Sequence, residues 1–423
     1  MPTTETTVQS WGSRLGSSTR GVLVGFLLVL ASVALLFWNE GRTVNRAKAL
    51  SEGASAVISV DAAKVDPQND GKLVHVSGEV ATADVLEDLK FGVSVNAIKL
   101  LRKVESYQWR EIEESTTERG SGGSQKTTTT YSYEKVWAAE LIDSTGFKEA
   151  GRDNPSTRPV EGAEFVASNV SLGAFRLSAD LISRLGPSKP FVPPVAADGL
   201  LPIETIVEIP QTVAQETISI AAPASAPNDA TTISTAAPAS APNDATEFRR
   251  TETGFYLGAD PNAPAIGDVR VSFEIVEAPR PASVVSQQNG DGFVPYQAKT
   301  GSVELLSNKI DSAEAMFAQA QRDSATLGWI LRVFGFALMF FGFSAIFKPL
   351  EVLADIVPFL GSLVGLGTGL VSFALSLFGS LTTIAVAWLW FRPLIAIPLL
   401  IVAVGSLVWL FGKAKKAKVA EAK

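Results

Sequence analysis

Residues 328–411 constrain this chain more than any other stretch, because they form a nearly charge-free apolar block broken only at 348–355 and at Arg392-Pro393. The first piece, 328–347, would rise about 30 Å as a helix at ~1.5 Å per residue, which matches a hydrocarbon core of about 30 Å. It reads as one membrane span. Residues 356–391 carry no charge over a length too great for one upright helix. They are read as a span over 366–391, preceded at 357–364 by a stretch that is interfacial, re-entrant or part of the same helix, in a cytoplasmic connection of 348–365. Pro393 interrupts any helix because it lacks an amide donor and its ring clashes with the preceding turn. Residues 394–411 then supply a further apolar segment.

Near the start, Arg20 precedes the apolar run 21–38. That run is longer than the core of a signal peptide, and Asn39-Glu40-Gly41-Arg42 follows it instead of a small-residue cleavage site. It is read as an uncleaved first span behind a cytoplasmic tail, 1–20. Four spans return both termini to one side, and Lys413, Lys415, Lys416 and Lys418, in a basic tail over 412–423, mark that side as cytoplasmic. On this topology Ser121 lies on the opposite side. Trp38, Trp329, Trp388, Trp390 and Trp409 fall near the span ends, where an amphipathic ring sits well between lipid and water. Arg332, one turn inside the second span, is read as snorkelling to the interface, with a paired functional charge as the alternative.

The fold class expected is a multi-pass α-helical membrane protein with a large α+β extracytoplasmic domain, 39–327, between the first two spans. That segment holds 26 Lys and Arg against 39 Asp and Glu, a net of −13. It should not seek nucleic acid or anionic head groups. The chain has no cysteine and a single histidine, His75, so thiolate metal sites and the usual nitrogen ligand sets are excluded. Asp66, Gln68, Asp70 and Gly71 only faintly echo a calcium loop, since Ser77 stands where its glutamate belongs. No metal and no cofactor are expected.

Within the domain, Val44, Ala47, Leu50 and Ala54 continue the first span outward as a helix, and 73–80 alternates as a strand behind Asn69-Asp70-Gly71. Residues 84–103 read as mixed helix and strand. Residues 104–113 and 127–141 read as a long hairpin whose aromatic residues pack across strands. A short helix is expected over 177–185, with Ser178 as N-cap and Gly186-Pro187 as its stop. From 187 to 246 the chain is rich in Pro, Ala, Ser and Thr, and a 15-residue unit, 217–231, recurs at 232–246 with one change, Ile220 to Thr235. Two such copies build no core, so a disordered linker is expected. Residues 268–275 alternate as a half-buried strand. Residues 302–327 are read as a helix whose Val303, Leu306, Ile310, Ala313, Phe317 and Ala320 follow a 3-4 spacing. That spacing suits a coiled-coil seam or packing on the helix's own domain.

No nucleophile elbow, phosphate loop or HExxH pattern occurs, and Glu111, Glu113 and Glu114 read as solvated surface. No catalytic residue is assigned, and no enzyme activity is expected. Small residues do form stripes: Gly361, Gly365 and Gly369 at intervals of four, and Gly328, Gly335 and Gly342 at intervals of seven. Such stripes let helix backbones approach closely in lipid, within one chain or between chains. Gly335, Gly342, Gly361, Gly365, Gly369, Ile310 and Phe317 are the candidate helix–helix or oligomer contacts.

Several strings resemble the LUMA family, also called the transmembrane protein 43 family. They are Asn39-Glu40-Gly41-Arg42, Gly71-Lys72-Leu73-Val74-His75-Val76-Ser77-Gly78, Val104-Glu105-Ser106-Tyr107-Gln108-Trp109, Tyr131-Ser132-Tyr133, Ile266-Gly267-Asp268-Val269-Arg270-Val271-Ser272-Phe273 and Arg392-Pro393-Leu394. The resemblance implies four spans, cytoplasmic termini and a lumenal or periplasmic domain. It also implies a scaffold that self-associates, in eukaryotic relatives at the endoplasmic reticulum and inner nuclear membrane with lamins and emerin. The alanine-rich linker and the lack of cysteine suggest a bacterial member in the cytoplasmic membrane, for which self-association in the bilayer and unknown membrane-protein partners carry over. The expected function is thus a non-enzymatic membrane scaffold that oligomerises, with a transporter or channel as the alternative and a membrane-tethered hydrolase a distant third.

Overall fold

The computed structural model describes residues 3–194, 248–356, 358–394, 397–398 and 401. Four α-helices have defined bounds among them: α1 (Trp11–Ala56), α2 (Ala179–Ser183), α3 (Ala313–Ala354) and α4 (Pro358–Phe391). Three of these, α1, α3 and α4, are long and apolar enough to cross a membrane. Each long helix with a described start has a serine cap. The Ser10 and Ser312 hydroxyls accept the amides of Ser13 and Ala315, meeting donors that a helix start leaves open.

α1 and α3 run antiparallel and touch where one of them is small. A Cβ on Gly335 would lie 2.5 Å from Leu36, and one on Gly342 would lie 2.9 Å from the Gly25 carbonyl. A side chain at either glycine would push the pair apart. α4 lies against the same pair, with Gly379 and the Ser380 hydroxyl on Met339 of α3.

The rest is β structure. A nine-stranded sheet places Thr3–Gln9 beside Gln125–Ala138, then Val93–Arg119, Val269–Glu277 and Gly254–Leu257, ending at Arg249–Thr251. A seven-stranded sheet is centred on Leu73–Thr82 paired with Arg280–Asn289. The core between them holds Val76, Ile98, Leu100, Phe175, Val271 and Phe273, each fully buried large side chain contributing about 1.5–3 kcal/mol. A smaller cluster, including Leu50, Leu73, Val285, Val303, Met316 and Phe317, joins the domain to the near ends of α1 and α3.

Strands Leu73–Thr82 and Val269–Glu277, the outward run of α1, and α2 with Ser178 as its cap follow expectation. Several boundaries differ. Residues 302–327 are not one helix, because Gly301–Val303 and Leu305–Ser307 are strands and α3 starts at Ala313. The proposed seam therefore breaks: Val303 and Leu306 sit in strands, Ile310 is exposed in the loop, and Phe317 is buried against Gly53 and Leu73 of the same chain. Residues 348–354 continue α3 through Pro349. α4 is unbroken from Pro358 to Phe391, so the interfacial start and the span are one helix, ended before Pro393 as expected.

Residues 84–103 are strands, without helix. The expected linker begins later than 187, since Lys189–Phe191 pairs with residues 273–275. The repeat, the basic tail and most of the fourth span lie outside the described residues.

The expected tail 1–20 contains a strand and the first turns of α1. Thr3–Gln9 pairs along residues 125–131 of the long hairpin. This pairing puts the tail side by side with the hairpin tip, where the expectation sets a bilayer between the tail and Ser121.

Candidate functional site

The helix block carries a buried ion pair at each end. At the end near the β domain, Glu40 of α1 is fully buried and accepts two hydrogen bonds from Arg332 of α3, at 2.6 and 2.9 Å. Trp388 of α4 donates its indole N–H to the same carboxylate at 2.8 Å. One carboxylate thus holds three helices.

Its neighbours complete the joint. Asn39 donates its side-chain amide to the Gly328 carbonyl at 3.0 Å, and a Cβ on Gly41 would meet the Phe391 ring at 2.6 Å. Each of Asn39, Glu40 and Gly41 therefore has a separate packing reason to stand where it does. Arg332 also lies over the Trp329 ring, 4.9 Å from its centroid, a cation–π contact that shares the guanidinium charge. Its alternative reading, a paired charge, is the one found.

At the far end Arg14 of α1 donates to Asp355 beyond α3 at 2.6 Å, and to the Gly123 carbonyl at the hairpin tip at 2.7 Å. Both side chains are buried. Arg119 of the hairpin reaches Glu351 at 2.6 Å and Asp355 at 3.5 Å, while Trp11 donates to the Val352 carbonyl. The hairpin, whose pairing runs from Ser106 to Arg119, thus touches down on the far end of the block.

The glycine stripes serve contacts inside this chain at several places. Gly335 and Gly342 meet α1, and a Cβ on Gly365 would lie 3.3 Å from the Glu351 side chain. A Cβ on Gly369 would meet nothing within 4 Å among the described residues outside its own helix, and Gly361 lies within α4. Ser372, Ser376 and Ser380 are buried.

In the domain, His75 is buried and contacts the Ser59 hydroxyl, the Ser77 hydroxyl and the Asp311 carbonyl at 3.1, 3.0 and 2.9 Å. It is no catalytic triad, because Asp311 offers its backbone while its carboxylate is engaged by Ser307. Asp66 and Asp70 accept the amides of Gln68 and Gly290. Arg102 grips Asp88 with two bonds, at 2.7 and 2.8 Å, in the sheet core. Burial, with the hydrogen bond to Asp268, pushes the Tyr256 phenol well above its usual range. Tyr107 and Trp137 pack across the hairpin with tilted rings 5.1 Å apart, the cross-strand packing expected of its aromatic residues.

A family model described as Transmembrane protein 43 matches residues 106–198 and 200–393. Transmembrane protein 43 of Rattus norvegicus is 33% identical over 393 residues, covering 90% of this chain and 87% of the relative. The Homo sapiens protein of that name is 32% identical over 396 residues, covering 91% and 88%. A Drosophila melanogaster homolog is 27% identical over 403 residues, covering 92% and 93%. No solved structure matches.

Proposed function

Because this chain belongs to the transmembrane protein 43 family and is an integral membrane protein, we propose that it is a non-enzymatic scaffold, which self-associates in the bilayer and presents its β-rich domain to other membrane proteins. The observation that carries this reading is the Glu40–Arg332–Trp388 joint. It commits the intramembrane charge to holding helices in one register, the best-attested use of a buried ion pair. A transporter would need such a charge to exchange partners.

Self-association is placed on α4. Leu366, Leu370, Phe378 and Leu381 are exposed there, and Gly369 leaves open space beside them. The domain is placed on the side away from the lysine cluster at 413–418, by the positive-inside tendency. A cytoplasmic-type membrane with the domain outside is the location proposed.

The test is the mass of the full chain in mild detergent. Wild type should exceed a monomer, and Gly369→Leu should shift it toward one without loss of fold, since a Cβ at that position meets no neighbouring element among the described residues. A wild type monomeric at every usable concentration would remove the scaffold reading. Orientation is checked by an impermeant maleimide on single cysteines at Leu89, exposed on the domain, and at Lys416. Labelling of both from one side would overturn the placement.

A further inference from the structure

Beside the near-end joint, the outer face of α1 opens into a groove of about 870 Å³ that the scaffold reading does not use. Its inner wall is apolar, built from Leu30, Val33, Phe37 and Phe391, and its rim holds Arg42 and Arg46 beside the backbone of residues 300–302. Among the described residues no acidic side chain lines it. The volume is that of an ordinary small-molecule site.

The two arginines are under-used. Among the described residues Arg42 has a buried Nε with no hydrogen-bond partner, and its Nη2 reaches only Asn39 Oδ1, at 3.4 Å. Arg46 gives one Nη1 bond to the Ser302 carbonyl at 2.8 Å. Among the described residues neither forms an ion pair within 4.0 Å. Glu40 is taken by Arg332. Across the arginines, Glu304, Asp311 and Asp323 line an adjoining cleft, but they are engaged by Arg184, by Ser307 and Lys309, and by Gln319 respectively.

Spacing of four puts both guanidinium groups on one helix face, where like charges repel unless an anion joins them. Each presents a planar fork that suits phosphate oxygens. The position along the helix is equally specific. The arginines lie directly beyond the apolar run 21–38, and Leu30 and Val33 of the wall below them are exposed, so a bilayer spanned by that run would set its head groups at the level of the arginines.

We propose that this groove holds one acidic phospholipid, its phosphate between Arg42 and Arg46 and an acyl chain along Leu30, Val33 and Phe37. The bilayer is the source of the ligand, and the apolar wall sets it apart from a site for free phosphate.

The test is native mass spectrometry of the full chain, released from nanodiscs made of equal phosphatidylglycerol and phosphatidylcholine with identical acyl chains. Wild type should retain phosphatidylglycerol about tenfold over phosphatidylcholine. Arg42→Gln with Arg46→Gln should abolish that preference. Lys48→Gln, an exposed cation on the same helix outside the groove, should keep it. Ala34→Trp, which fills the wall without altering charge, should lower retention of the acidic lipid.

Millimolar inorganic phosphate should displace none of it. Equal retention of both lipids by wild type would overturn the proposal, as would a preference that survives the double glutamine variant. Displacement by inorganic phosphate would overturn the lipid assignment. If the double variant does not fold, judged by protease resistance of the β domain, the Ala34→Trp and phosphate arms decide.

Discussion

The two ends of the helix block are closed by the same chemistry and held in place differently. At the near end, Glu40, Arg332 and Trp388 come from three helices and are sealed by Gly41, Phe391 and the Asn39 amide. At the far end, Arg14 and Asp355 are also buried, but their cover is the tip of a hairpin that belongs to the β domain. One joint is internal to the membrane part, and the other depends on a distant element staying docked. A buried ion pair is expensive to desolvate and costly to break. The near joint should therefore behave as a single unit, and the far joint should have reserve partners.

The largest expected effect follows directly. Glu40→Gln leaves Arg332 charged and unpaired, which should destabilise the protein by about 3–5 kcal/mol, measured as loss of the folded fraction on denaturant titration in detergent. Adding Arg332→Gln should recover much of that loss. A double variant whose loss equals the sum of the two single losses would show that the pair is not coupled.

Trp388→Phe removes one bond to a charged acceptor and should cost about 1.5–3 kcal/mol in the same titration. At the far end, Arg14→Gln should cost less than Glu40→Gln, on the order of 1–2 kcal/mol, because Asp355 keeps Arg119 nearby. Equal costs for Arg14→Gln and Glu40→Gln would erase the difference between the ends. Arg119→Gln should change stability by less than about 1 kcal/mol, since that side chain is 37% exposed and its pairing is screened by water.

The smallest effect on stability is the most informative about the bilayer. Thr6 and Thr128 are paired across the strand–hairpin edge. In a chain without cysteine, Thr6→Cys with Thr128→Cys should cross-link on mild oxidation in detergent, with stability unchanged. The same pair in native membranes sharpens the comparison, because an open strand edge is not tolerated in hydrocarbon. A cross-link there places the tail and the hairpin tip in one phase. A cross-link confined to detergent places the bilayer between them and makes the far joint a contact that lipid removes.

Much of this architecture was legible where local pattern and environment agree. Strand Val269–Glu277 alternates because one face packs on the core, and α2 stops where its cap and Gly186-Pro187 require. The near joint was not legible, for a physical reason: Glu40 lies just past its apolar run, and Arg332 lies one turn inside its own, 292 residues away. A search for acids within spans misses it. The available signal was level: two antiparallel helices that begin and end at one interface bring an acid just after the first span beside a base just inside the second.

The supposed seam failed for the opposite reason. Its first half, Val303 and Leu306, sits in two short strands whose junction with α3 mimics a helical spacing. Apart from Val8, Thr3–Gln9 is polar on both faces, so only its partner, a threonine-rich edge on the hairpin, reveals it as a strand.

The near joint also sets a clock. At roughly 5–20 residues per second of synthesis, the 292 residues between Glu40 and Arg332 take about 15–60 s to appear. Throughout that interval the first helix waits with a bare carboxylate at the edge of the bilayer. The whole β domain is made in the meantime, tethered at one end only. The carboxylate is neutralised only when the second helix arrives, so the clasp closes after the cargo is inside it. Any factor that shelters a half-inserted helix would have to act within that window.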